Sequence, residues 1–220
     1  MMSRAVEATL KRWDAVCNRL NAASRVIPPF FLRVILAWEF YESGLMKLRG
    51  EDWFSQIQDS FPWPFSVIPT SVSWGMATWF ELVGALLLLF GLFTRFAAFS
   101  LIILTAVATA AVHWPDMWHS LQMLWEGYAI TDRGAGNFKL PLLFIVMLLP
   151  LVFGGAGNLS LDHLLRRLTG RAANVQGITD LGTFGLSLAI LGMVLIFLVP
   201  VVGAILLALG VLLLIVQRFL

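Results

Sequence analysis

The sequence is short of charge and of cysteine, and it has none of the short motifs that announce soluble chemistry. Lys, Arg, Asp and Glu make up 13% of its 220 residues, against roughly 25% in ordinary soluble domains. With 59% hydrophobic residues and a mean hydropathy of +0.85, the chain cannot clothe a globular surface in polar groups, so the bilayer is its solvent. Cys17 is the only cysteine, which excludes an intramolecular disulfide or a Cys-x-x-Cys relay. Any redox work therefore rests on a bound cofactor or on a partner's cysteines. No zinc spacing or glycine-rich phosphate loop occurs, and a formal net charge of +2 without a nucleic-acid motif points away from nucleic acid. A cleaved signal peptide is not expected, because the small residues Ala22, Ala23 and Ser24 precede the first apolar run instead of following it.

What is present is a series of membrane-length apolar runs. A hydrocarbon core of about 30 Å needs roughly 20 such residues per helix, and runs of that kind occur at Pro28 to Met46, Trp74 to Phe93, Phe96 to His113 and Phe138 to Gly154. The uncharged stretch from Leu181 to Gln217 has 37 residues; one straight helix of that length would measure about 55 Å. It must break, at Pro200 with Gly203, because proline removes a helix hydrogen bond and clashes with the preceding turn. Six spans follow, one long kinked helix being the alternative for the last two.

The basic residues alternate with the crossings. Arg4, Lys11, Arg12, Arg19, Arg25, Arg95, Arg166, Arg167, Arg171 and Arg218 fall on one side, and Lys47, Arg49, Arg133 and Lys139 on the other. Ten against four predicts cytoplasmic termini in a bacterial-type inner membrane. In residues 1–27, Leu10, Trp13, Cys17, Leu20, Ser24 and Ile27 recur at steps of three and four, which predicts an amphipathic helix on the inner leaflet or, alternatively, one that binds a partner. Ser160 is expected to cap a short helix whose leucines face the bilayer and whose arginines face the cytoplasm. Asn137 is expected to cap the fourth span.

Three carboxylates lie inside these runs: Glu39 and Glu42 in the first, Glu81 in the second. A charge at mid-bilayer costs on the order of 2.5 to 3.5 kcal/mol on insertion scales and marks a functional site or an internal ion pair. Counted from Pro28, Glu39 lies roughly 16 Å deep, and Glu81, seven residues after Trp74, reaches about 10 Å inward. Lys47, His113 and Lys139 stand at the outer ends of their spans. Glu39, Glu42, Glu81, Lys47, His113 and Lys139 are therefore expected to converge in the outer half of a four-helix bundle. There they either bind a ligand and exchange protons or lock the bundle by ion pairing.

The two outer loops are aromatic. Trp53, Trp63, Trp74, Trp79, Trp114, Trp118 and Trp125 fall in or beside them, as an interfacial belt and, in part, as a lid over a site. His113, Met117, His119 and Met123 form a candidate copper set of imidazole and thioether ligands; hydrogen-bonded interface residues are the competing reading. Haem is not expected, since the two histidines come from neighbouring positions and cannot easily grip it from opposite helices.

Arg33, then Ser43-Gly44-Leu45-Met46-Lys47-Leu48, then Glu81-Leu82-Val83-Gly84-Ala85-Leu86-Leu87-Leu88-Leu89-Phe90-Gly91-Leu92-Phe93-Thr94-Arg95, and finally Gly155-Ala156-Gly157-Asn158-Leu159-Ser160-Leu161-Asp162 resemble, in order and spacing, the pattern of the DoxX family. The resemblance runs over about residues 28 to 168 and implies an all-α membrane protein with a four-helix transmembrane core. That core is expected over 28–170, with the amphipathic helix of 1–27 and a C-terminal transmembrane hairpin over 178–220 as additions. The family takes its name from a likeness to a subunit of a thiosulfate:quinone oxidoreductase, and other members accompany redox, metal- or peptide-handling systems. The function expected on that basis is an accessory, quinone-interacting subunit of a membrane oxidoreductase complex, with quinone as the candidate cofactor and nothing covalently bound. Membrane lipid and a protein of a redox or metal-handling complex are the expected partners, and a homo-oligomer is compatible with the chain. The alternative is a non-enzymatic scaffold or a handler of a small solute or metal.

Overall fold

A computed structural model of the chain describes residues 4–115, 117–131, 136–171 and 180–219. Nine α-helices are found among them: α1 Arg4–Ala23, α2 Ile27–Arg49, α3 Thr70–Phe90, α4 Thr94–Ala108, α5 Leu121–Glu126, α6 Lys139–Gly154, α7 Leu161–Leu168, α8 Leu181–Leu195 and α9 Pro200–Gln217. A π-helical turn, Thr109–His113, extends α4, and the loop between α2 and α3 carries two short 3-10 turns. No strand occurs among the described residues.

Four helical runs are long and apolar enough to cross a membrane: Val6–Arg49, Thr70–Phe90, Thr94–His113 and Pro200–Gln217. Lys139–Gly154 and Leu181–Leu195 are shorter apolar helices, yet each lies against a longer one. The chain is a multi-pass membrane protein. Helices α2, α3, α4 and α6 close a ring, each packing on two neighbours, and α8 attaches the α8–α9 hairpin to α4. In lipid no hydrophobic force holds such helices together, so close approach of small residues must. Accordingly Ala37, Ala85, Ala97, Ala98 and Ala106 alternate in the core with Leu36, Leu88, Leu101, Ile102, Leu148 and Leu151. The C-terminal apolar run breaks at Ile196, four residues before Pro200, which becomes the first residue of α9. At Gly203 a side chain would collide with the Ile196 backbone nitrogen, so only glycine lets the hairpin close.

The end of the ring at the α3–α4 turn is tied by caps that cross between helices. Gly91 ends α3 in the left-handed conformation, leaving carbonyls without helical partners. The buried Arg33 of α2 donates to Leu88 O (3.4 Å) and Leu89 O (3.5 Å) there and to Leu159 O. Arg95 donates in the same way to Val152 and Phe153 at the end of α6. Asp162, in the first turn of α7, also caps α4 by accepting from Phe93 N (2.8 Å) and Thr94 N (3.0 Å). Ser160 caps α7 as expected, accepting from His163 N, and Leu161, Leu164, Leu165 and Leu168 are exposed.

Helix α1 keeps Val6, Leu10, Trp13, Val16 and Leu20 exposed. Arg133 and the start of the expected C-terminal unit at residue 178 lie outside the described residues.

Candidate functional site

Ser43 and Lys47 follow Glu39 at steps of four along α2, and Ser73, Ala77 and Glu81 do the same along α3. Such spacing puts each set on one helix face, and the packing of α2 against α3 turns the two faces together. The Lys47 ammonium donates to Glu81 Oε1 (2.9 Å) and Oε2 (2.8 Å) and to Ser43 Oγ (2.8 Å). Glu81 is 4% exposed, so the pair is a buried one in which the lysine uses all three donors.

This pair sits in the wall of a cavity of about 750 Å³ that α2, α3, α4 and the N-terminal half of α6 enclose. The cavity is roofed by the loop between α2 and α3, where Phe54 packs on Phe61 and Trp74 at 5.0 Å and Trp53 joins at the edge. Phe54, Phe61, Ala77 and Val107 form a small apolar cluster of their own, so the loop is seated on α3 and α4. The aromatic lid expected from sequence is a packed structure, while Trp63, Trp79 and Trp125 stay exposed. On the far wall His113 Nδ1 donates to Asn137 Oδ1, and Asn137 Nδ2 donates to Thr131 O (2.9 Å). Asn137 thus braces the histidine and does not cap α6, whose N-cap position falls on Phe138 without a side-chain bond.

Of the six expected site residues, Glu39, Lys47, Glu81 and His113 line the cavity. Glu39 is exposed at its margin and has no ion pair or hydrogen bond among the described residues. Glu42 does not join them. Adjacent residues of a helix point about 100° apart, so a helix that aims Ser43 at α3 turns Glu42 away, into a shallow recess with Trp38, Tyr41 and Arg49. Lys139 is also absent from the cluster; its ammonium lies over the Tyr128 ring at 5.2 Å, a cation–π contact. Met117 and His119 before α5 and Met123 within it are exposed, and none of the three lines the cavity wall that holds His113. Among the described residues no group of three or more His, Cys, Asp or Glu side chains is placed to hold a metal.

Two residues that the sequence reading passed over complete the lining. Ser43 is the second partner of Lys47, after Glu81. Ser73, 8% exposed, lines the cavity, and its hydroxyl has no hydrogen-bond partner among the described residues. The signal for both was helical spacing from Lys47 and Glu81. What this arrangement can do is accept an amphipathic molecule: a mostly apolar volume in the usual ligand range, with a few convergent polar groups.

No solved structure matches the chain. A protein of Haemophilus influenzae described as "Uncharacterized protein" is 46% identical over 137 residues, 62% of this chain and 82% of that one. The family model for DoxX matches residues 29–114, the stretch that holds Arg33, the Lys47–Glu81 pair, Arg95 and His113, and the chain is a member of the DoxX family.

Proposed function

We propose that the protein is an accessory subunit of a membrane oxidoreductase complex and that its outer cavity takes the ring headgroup of a quinone. The observation that supports this reading is the Lys47–Glu81 pair, set in the wall of an aromatic-lidded apolar cavity of about 750 Å³. The carboxylate can accept from a ring hydroxyl, the ammonium can donate to a ring carbonyl by exchanging its bond to the Ser43 hydroxyl, and the seated loop keeps bulk water out. The unpartnered hydroxyl of Ser73 fits a carbonyl-bearing ligand too. A bound quinone supplies two-electron chemistry; the electrons come from the partner's redox centre, and the chain itself binds and orients.

Quinone retention tests the reading. Gentle purification followed by mass spectrometry of extracted lipids is expected to recover a quinone near one per chain from wild type. At least fivefold less is expected from the Lys47→Met, Glu81→Leu double variant, which removes both charges together. Equal recovery from the two proteins, or none from wild type, rejects the proposal.

The surrounding membrane is a bacterial-type inner membrane, with both termini in the cytoplasm, on the strength of the ten-to-four distribution of basic residues. Cys17, the sole thiol, makes a direct test: a membrane-impermeant maleimide should leave it unlabelled in intact cells and label it in inverted vesicles. Labelling in intact cells reverses the orientation.

A further inference from the structure

The cavity does not end at the ion pair. On α4 its lining follows one stripe, Phe96, Phe99, Ser100, Ile103 and Leu104, at the three- and four-residue steps of a single helix face. Gly84 of α3 abuts Leu101 of α4, where a side chain on the glycine would meet Leu101 at 3.1 Å. The two helices are antiparallel neighbours, so three residues outward on each brings Glu81 level with Leu104. Phe96 then lies eight residues further in, about 12 Å deeper at 1.5 Å per residue.

Below the polar groups the cavity therefore continues as an apolar track toward the inner leaflet. Its lining residues Phe80 and Phe96 are 41% and 64% exposed, both within spanning segments, so the track opens sideways into the bilayer. At the other end Ser73 stands eight residues, again about 12 Å, to the outer side of Glu81. Its hydroxyl is nine-tenths buried, lines the cavity and is unpartnered among the described residues. A buried hydroxyl without a partner costs stability; a ligand atom bonded to it removes that cost.

We infer that the site holds a single-chain amphiphile that enters laterally from the bilayer. Its polar head spans Ser73 and the Lys47–Glu81 pair, and its chain lies inward along the Ile103, Ser100 and Phe96 track. The inference deepens the quinone reading and rests on it for the ring, but the chain track and the Ser73 bond hold for any head with a hydrogen-bond acceptor.

The test compares amphiphile retained by wild type with that retained by Ser73→Ala, Ser100→Trp and, as a control on the lipid-exposed side of α6, Val146→Trp, using lipid mass spectrometry of the full chain in phosphatidylcholine nanodiscs. A second arm uses two probes, a dimethoxy-methyl-benzoquinone bearing a decyl chain and the same ring without it. Expected results are a roughly fivefold loss for Ser73→Ala, the weight of one hydrogen bond, a similar or larger loss for Ser100→Trp, no change for Val146→Trp, and displacement of the bound lipid by the decyl probe only. Ser100→Leu adds less bulk and keeps the test where the tryptophan variant fails to fold. If a quinone is retained but Ser100→Trp and Ser100→Leu hold it as well as wild type, and the chainless ring competes equally, the chain track is wrong while the quinone reading stands. If a chained lipid that is not a quinone is recovered, and lost on Ser73→Ala and Ser100→Trp, the track stands and the quinone reading falls. An empty wild type overturns both.

Discussion

Lys47→Met is expected to destabilise the helix ring by about 3 to 5 kcal/mol, the usual penalty for removing one partner of a buried ion pair. The side chains of Lys47 and Glu81 are 17% and 5% exposed, so the deletion strands a carboxylate whose remaining neighbour is the Ser43 hydroxyl. Glu81→Gln should cost less. It strands the ammonium, but Lys47 stands within a turn of the C-terminal end of α2, and a flexible lysine there can swing its head to the interface. The double variant Lys47→Met, Glu81→Gln should recover most of the loss, because neither charge is then left without the other. Denaturant melts in detergent, followed by tryptophan fluorescence, give the four corners of the cycle. A Lys47→Met protein as stable as wild type sinks the claim that the pair holds α2 to α3. A large coupling energy together with unchanged lipid retention in the double variant assigns the pair to holding helices only.

The same pair shows how far residue counting reaches in a membrane chain. Apolar run length places spans well, because the bilayer imposes one thickness on all of them; hence α2, α3, α4 with its π-turn and α6 appear within a few residues of their expected limits, and the C-terminal break falls just before Pro200. Depth is readable too, since it is only rise times residue number. Azimuth is not. Glu39, Glu42 and Glu81 all lie at depths where a charge needs company, yet among the described residues only Glu81 is paired with a cation, because the face that each residue presents is set by which neighbours the helix packs on. Lys139, at the right depth, turns to the Tyr128 ring. Hydroxyls were harder still: Ser43 and Ser73 pass for small spacers until the partner helix is in place. Backbone acceptors are invisible in a sequence, and that is why the role of Arg33 is hidden until the turn after α3 is in place.

Arg33→Met is expected to be among the most damaging substitutions in the protein, costing at least about 3 kcal/mol. Arg33 is 1% exposed and serves three carbonyls beyond its own helix, at Leu88, Leu89 and Leu159, with Nε donating to Pro29 O at 3.3 Å. Leu88 O also accepts from Gly91 N at 3.0 Å, so the substitution bares Leu89 O, in the last turn of α3, and Leu159 O, both part-buried, and each such acceptor left without a donor costs about 1 to 3 kcal/mol. Removing the guanidinium also removes a countercharge from Asp162, which acts on both Arg33 and Arg95 and holds the start of α4 through Phe93 N and Thr94 N. The loss should therefore spread to the turn between α3 and α4. Arg33→Lys separates charge from geometry. A lysine keeps the positive charge but is a point donor on a flexible stem, without the planar fork that reaches carbonyls on two segments at once, so it should restore less than half of the lost stability. Folded fraction by size exclusion and denaturant midpoint by tryptophan fluorescence measure both variants. If Arg33→Lys equals wild type, charge alone suffices and the cap is not what the guanidinium provides; if Arg33→Met equals wild type, this end of the ring is held by apolar packing and by Asp162.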